Sequence, residues 1–291
     1  MEFKRYIINE KSGAYLDRIC HTPSPSEMPY LLKRPAVVVC PGGGYGMCSA
    51  READPVAYRF LAEGFNTFVL YYSLNEHAVF PNSLLDLCAA MKLIRENAEE
   101  FGVIEDQIAV LGFSAGGHLA GSLGVHWNDP EIMERSGCKN GENKPNALIL
   151  IYPVLSTSWM ESGDGLSRLM GDNDFETTYK KLNLQVNVTD KTPPAFLCHT
   201  VRDGGVPCDD SIKFASAMIE AGVPCELHLF PNGPHGMALG TPETAYQHYA
   251  SKGDESFAQW PGLAVHWLKR LFANPEEGYA PLKKAKYISK L

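Results

Sequence analysis

The 291-residue chain is 45% hydrophobic and 21% charged, an ordinary balance for a globular fold with a sizeable core. Its net charge of −8 argues against nucleic acid, which requires clustered Lys and Arg; the one basic cluster, Lys283, Lys284, Lys286 and Lys290, reads as a solvated tail. No run approaches the roughly 18 apolar residues that cross a bilayer, and Met1–Arg5 leads into no signal-like stretch, so no membrane partner and a cytoplasmic location are expected.

Residues 1–34 read as an N-terminal edge segment, with a strand or hairpin around Tyr15–Ile19 and then a Pro/Ser loop. Ala36–Cys40 is a continuous apolar run, the pattern of a strand buried on both faces, and Pro41-Gly42-Gly43-Gly44-Tyr45-Gly46 follows it. Asp54 reads as the N-cap of a helix with Pro55 in its first turn and Gly64 at its end. The strand Thr67–Tyr72 comes next. From Pro81 to Phe101, Leu84, Leu85, Cys88, Met91, Leu93 and Ile94 make a helical stripe that Gly102 stops. The strand Ile108–Leu111 leads into Gly112-Phe113-Ser114-Ala115-Gly116 and a helical run through Leu119.

After the strand Ala147–Tyr152, the stretch Leu155–Pro194 is long for a connection; with a short helix near Asp174–Leu182, it reads as a cap or lid insertion. The strand Ala195–His199 precedes a helix that Asp209 and Asp210 would cap, with Ile212, Ala215, Met218 and Ile219 inward and Gly222 past its end. The strand Glu226–Phe230 and a helix over Leu263–Phe272 complete the series. This alternation predicts one α/β domain over residues 1–291, a mostly parallel sheet with helices on both faces.

The eight cysteines form no C-x-x-C pair, and several lie in apolar runs such as Val37-Val38-Val39-Cys40. In a reducing compartment they are expected to be buried small hydrophobes.

Three motifs on the ends of strands carry the chemistry. Gly112-Phe113-Ser114-Ala115-Gly116 is G-x-S-x-G between a strand and a helix, where a sharp turn exposes the serine oxygen above the sheet. The glycines after Ala36–Cys40 can turn backbone N–H groups inward, so Gly43, Gly44 and Ala115 are the expected oxyanion hole. A phosphate loop is the rival reading of those glycines, but no Gly-Lys-Ser/Thr follows and the spacing is not G-x-G-x-x-G. Asp203 lies just past Ala195–His199, and His235 stands in Gly233-Pro234-His235-Gly236 just past Glu226–Phe230. The order Ser, Asp, His is that of the α/β-hydrolase fold and makes Ser114, Asp203 and His235 the expected catalytic triad. His118 lies one helical turn beyond the serine and His199 and His228 lie in or at strands, so all three are expected to be structural.

These segments together resemble the bacterial α/β-hydrolase esterases grouped near acetyl xylan esterases and hormone-sensitive-lipase-like enzymes. Residues 108–120 (IAVLGFSAGGHLA) resemble that family's nucleophile segment, 192–207 (TPPAFLCHTVRDGGVP) its acid segment, and 229–240 (LFPNGPHGMALG) its histidine segment. Hormone-sensitive-lipase-like enzymes carry His-Gly-Gly-Gly where this chain has Pro41, which moves the resemblance toward the acetyl xylan esterase branch. The resemblance implies deacetylation of acetylated xylooligosaccharides or similar sugars, or of another short-chain ester, with no metal or organic cofactor. Tyr45 at the mouth and Trp159 in the 155–194 segment are weaker candidates for substrate contact, and a homo-oligomer is left open. The rival functions are a general carboxylesterase or short-chain lipase, a prolyl-oligopeptidase-like peptidase, and a catalytically dead hydrolase acting as a binding module.

Overall fold

The apolar runs pair because each alone would bury backbone polar groups without partners. In the computed structural model, which describes residues 1–157, 164–245 and 255–274, eight strands form one sheet. They are β1 (Glu2–Asn9), β2 (Ala14–Cys20), β3 (Arg34–Cys40), β4 (Asn66–Tyr71), β5 (Val103–Phe113), β6 (Ala147–Ile151), β7 (Ala195–Thr200) and β8 (Cys225–Phe230). The order across the sheet is β1-β2-β4-β3-β5-β6-β7-β8. β1 and β2 form an antiparallel hairpin at one edge, β2 runs antiparallel to β4, and the remaining neighbours are parallel.

Side chains alternate across a strand, and the two faces feed separate cores. Ala36, Val38 and Cys40 of β3, Ile108 and Val110 of β5, and Leu148 and Leu150 of β6 belong to one. Val37, Val39, Ala109, Leu111, Ala147 and Ile149 belong to the other. The first face is covered by α2 (Asn82–Glu96), α4 (Ser114–His126) and α8 (Asp209–Glu220), through Leu87, Met91, Leu119, Leu123, Phe214 and Met218. The second is covered by α1 (Asp54–Ala62) and α9 (Trp260–Ala273), through Val56, Phe60, Trp260, Ala264 and Leu268. Continuous apolar strands are thus the consequence of two covered faces, and no helix among the described residues is long and apolar enough to cross a membrane.

The helical stripe expected over Pro81–Phe101 divides at Asn97, where α2 ends and α3 (Ala98–Phe101) begins; Gly102 then closes α3 in the left-handed region at φ +62°. Asp54 is not an N-cap: Ala53 holds that position without a side-chain bond, and Asp54 is the first helical residue. In α8 the inward residues are Phe214, Ala215 and Met218, while Ile212 and Ile219 are more than 40% exposed, because the apolar stripe runs one position away from them. Asp210 does not cap α8 either; its carboxylate turns to the other side and accepts the N–H groups of Leu155 and Ser156 at 2.8 and 3.0 Å. It therefore ties the start of the 155–194 stretch to the sheet's helical layer.

The sequence reading left α5 (Pro130–Ser136) unassigned, although Asp129 caps it by accepting from the N–H groups of Glu131 and Ile132. Within 155–194 lie α6 (Asp164–Met170), α7 (Phe175–Leu182) and a 3-10 turn over Leu184–Asn187. Trp159 and the basic cluster Lys283, Lys284, Lys286 and Lys290 lie outside the described residues. All eight cysteines are free; five are buried, while Cys48, Cys208 and Cys225 are half-buried rather than fully inside.

Candidate active site

The six mutually parallel strands, β3 to β8, deliver their C-terminal ends to one rim, where ligands collect in open α/β sheets. At the end of β5 the chain reverses so sharply that Phe113 is extended (φ −111°) while Ser114, the first residue of α4, has φ +52°. A residue with a Cβ held there stores about 1–3 kcal/mol of strain. The flanking glycines make the turn fit. A Cβ on Gly112 would collide with the carbonyl of Gly116, and one on Gly116 with the carbonyls of Cys40 and Pro41. The helix start is thereby pressed against the ends of β3 and β5, and the serine side chain projects over the rim.

Asp203 and His235 come from the loops after β7 and β8. His235 Nδ1 is 2.7 Å from Asp203 Oδ2, and Nε2 is 2.8 Å from Ser114 Oγ. A carboxylate only accepts, so Nδ1 carries the proton, and Nε2 is left as acceptor for the serine O–H. The Asp203 carboxylate is almost fully buried. Its Oδ1 accepts the N–H groups of Gly205 and Val206, each at 2.8 Å, and His199 Nε2 stands 3.3 Å from Oδ2. Burial pushes this carboxyl up, but the hydrogen bonds from His199 and His235 and the Val206 N–H outweigh it and hold it well below the usual carboxylate range.

The other histidines sort by their partners. His199 Nε2 faces the Val206 carbonyl at 3.1 Å and its Nδ1 faces Ser211 Oγ at 2.9 Å. It is structural, as expected, yet it also supports Asp203, which the sequence pattern did not reveal. His228 bonds Glu226 on the edge strand, away from the serine. His118 Nε2 faces the Leu182 carbonyl at 3.0 Å, so Nε2 donates there and Nδ1 accepts the Tyr45 hydroxyl at 2.8 Å. Tyr45 is therefore buried behind the glycine loop rather than lining an open mouth.

Burial lowers the His118 pKa from 6.5 to about 4, and the Leu182 carbonyl offsets this only in part. Its stabilising contribution is accordingly complete above about pH 6.5. As the pH falls toward 4 the unfolded chain binds a proton that the folded chain refuses, and up to about 3 kcal/mol is lost. Urea unfolding at about pH 7 and about pH 5 should show this decline. His118→Gln should be less stable at the higher pH and show a shallower slope.

The loop after β3 holds Gly43 at φ +131° and Gly44 at φ +63°, conformations that a residue with a Cβ rarely adopts. Among the described residues, no acceptor takes the N–H of Gly43, Gly44 or Ala115. The loop is held by its carbonyls instead: Gly43 O accepts from Gly46 and Met47, Gly44 O from Arg168 of α6, and Pro41 O from the Tyr72 hydroxyl. Glu52 and Tyr152 complete its support. Tyr72, Glu52 and Tyr152 escaped the sequence reading; for Tyr72 and Tyr152, their place at the ends of predicted strands was the available signal. Among the described residues no three His, Cys, Asp or Glu side chains are placed to hold a metal ion.

Chemically, the arrangement offers a hydroxyl with its proton acceptor, an anchored carboxylate behind the imidazole, and a glycine loop with N–H groups that no acceptor among the described residues takes, the components of acyl transfer through a tetrahedral oxyanion.

Comparison with known proteins bears on this site. The BD-FAE family model matches residues 26–218. The chain is 36% identical over 241 residues to endo-1,4-beta-xylanase B of Butyrivibrio fibrisolvens, covering 79% of this chain and 35% of that protein. It is 28% identical over 247 residues to the acetylxylan esterase of Xylanibacter ruminicola, covering 82% of this chain and 47% of that one. The chain thus spans between about a third and a half of the length of these curated relatives. Among solved structures, the carboxylesterase Cest-2923 of Lactobacillus plantarum WCFS1 superposes with a TM-score of 0.84 at 28% identity, covering 94% of this chain and 98% of that one.

Proposed function

The chain belongs to the BD-FAE family and has the α/β-hydrolase fold, and from that premise we propose that it is a serine esterase acting through Ser114, His235 and Asp203. The observation that carries this reading is the 2.8 and 2.7 Å relay from serine to imidazole to carboxylate, together with the N–H groups of Gly43, Gly44 and Ala115, which no acceptor among the described residues takes. His235 takes the Ser114 proton as Oγ attacks the ester carbonyl. Asp203 holds the imidazole tautomer and balances the imidazolium that forms. The N–H groups of Gly43, Gly44 and Ala115 receive the charge on the carbonyl oxygen. His235 returns the proton to the departing alcohol, and water, deprotonated by His235, then releases the acid from the acyl-enzyme.

For substrate, we infer a short-chain acyl ester, in the first place an acetylated xylooligosaccharide or similar acetylated sugar. The acetylxylan esterase and xylanase relatives support this, as does Pro41-Gly42-Gly43-Gly44-Tyr45. The carboxylesterase Cest-2923, similar over nearly the whole chain, keeps a simpler ester in view as the second reading. Acetate release from acetylated xylooligosaccharides should exceed turnover of a butyrate ester and of a proline-containing peptide. A preference for butyrate or longer acyl chains would select the carboxylesterase reading, and cleavage of the peptide would overturn both.

The 155–194 stretch fits a cap within a single domain over residues 1–291: its α6 reaches the glycine loop through Arg168, and α7 ends on His118. Eight free cysteines suit a reducing compartment, the cytoplasm.

A further inference from the structure

Two buried polar side chains stand outside the proton relay yet touch both loops that build the site. Glu52 ends the 3-10 turn Ala50–Glu52 and is 3% exposed. Its Oε2 accepts the Gly42 N–H at 2.8 Å, at the root of the oxyanion loop, and its Oε1 accepts the Tyr152 hydroxyl at 2.7 Å. Tyr152, at the end of β6, accepts in turn from the N–H of Ala238, three residues past His235, at 2.8 Å. Its ring meets the His235 imidazole edge-on, with centroids 5.1 Å apart. One continuous hydrogen-bonded chain therefore runs from Gly42 through Glu52 and Tyr152 to Ala238.

The backbone at two members of this chain is under strain. Tyr152 sits at φ +37° and Ala238 at φ +53°, left-handed values that residues with a Cβ adopt only when their surroundings compel it. Next to Glu52, Arg51 donates to the carbonyls of Gly236 and Thr244, both at 2.7 Å, so consecutive residues of one turn grip the histidine loop. The chemistry of the chain demands a carboxylate. Two donors, an N–H and an O–H, converge on residue 52. Glutamate accepts both, whereas glutamine accepts one and confronts the other with its own NH2 group. Burying a carboxylate costs free energy that an apolar residue would not, and burial does push the Glu52 carboxyl upward, against the hydrogen bonds from Tyr152 and Gly42.

We propose that Glu52 and Tyr152 are a positioning pair for the reaction: their shared chain locks the oxyanion loop to the histidine loop, so that the Gly43 and Gly44 N–H groups and His235 keep their mutual geometry as the oxyanion forms. The inference rests on the serine-esterase reading. Neither side chain hydrogen-bonds a member of the proton relay; Tyr152 meets His235 only through its ring. Their effect falls on the transition state, where charge first appears on the carbonyl oxygen.

The test compares Glu52→Gln, Tyr152→Phe and the double variant with the wild type on p-nitrophenyl acetate, with thermal unfolding as a check of fold. Each single variant should lose about 10- to 100-fold in kcat, the scale of a small misplacement of catalytic groups, with KM within about 3-fold. A trifluoromethyl ketone that adds to the serine as a tetrahedral anion should bind more weakly in proportion to the loss in kcat/KM; inhibitor affinity is blind to the fraction of active enzyme. The double variant should be no worse than the poorer single one, because one broken link already opens the chain. Unchanged kcat, multiplying losses, or unchanged inhibitor affinity beside a reduced kcat would each overturn the pair. If Glu52→Gln does not fold, Tyr152→Phe carries the test, since it cuts the chain but keeps the ring against His235. An inactive wild type would instead sink the esterase reading, so the two failures are distinct.

Discussion

Replacing Ser114 by alanine should give a folded protein that hydrolyses p-nitrophenyl acetate roughly 10⁴- to 10⁶-fold more slowly than the wild type, the range expected when a nucleophile that works as a unit with its base is removed. The substitution deletes one atom. The left-handed turn at φ +52° is as strained for alanine as for serine, so the elbow is neither relieved nor further burdened. His235 Nε2 loses its 2.8 Å partner, but the imidazole is 26% exposed and water can replace the hydroxyl. Stability should consequently stay within about 1 kcal/mol of the wild type. Covalent labelling by a fluorophosphonate should vanish along with the activity. Wild-type turnover in this variant would show that the nucleophile lies elsewhere.

Asp203→Asn should cost about 10³- to 10⁴-fold in kcat, for two reasons that add. An amide in place of the carboxylate no longer compels His235 to carry its proton on Nδ1, and the other tautomer points a proton at the serine instead of accepting one. The site also offers an amide no comfortable orientation. Oδ1 is met by the N–H groups of Gly205 and Val206, and Oδ2 by the donors of His235 and His199. Whichever way the asparagine turns, its NH2 faces a pair of donors. A measurable drop in melting temperature should therefore accompany the kinetic loss, as it should not for Ser114→Ala. An active Asp203→Asn enzyme would transfer the orienting role to another acid.

Much of the architecture could be read from local pattern. Five of the six parallel strands, β3 to β7, are visible as apolar runs because both their faces are covered, whereas β8, at the sheet edge, is only partly buried. Where burial is one-sided the reading faltered. Ile212 and Ile219 look like core residues by hydrophobicity, yet α8 turns Phe214 and Met218 inward. A charged residue near a helix start suggests a cap, but both carboxylates are turned to partners elsewhere: Asp210 to the N–H groups of Leu155 and Ser156, and Asp54 to the Tyr71 hydroxyl. α6 and α5 were missed because short helices held by tertiary contacts carry little periodicity of their own.

The sequence by itself determined the elements and the chemistry on their ends: a serine between two glycines, a glycine run, an acid and a histidine, each just past a strand, in an order that fits one rim. That much is local, because strand ends are marked by the residues that stop a strand. The tertiary structure alone decided how those ends are held. Glu52, Tyr152 and Tyr72 gain their places through bonds to residues far along the chain, such as the 100 positions between Tyr152 and Glu52. No spacing rule records such a contact, because a hydrogen bond is made in space and its distance along the sequence costs the pattern reader every signal that periodicity supplies.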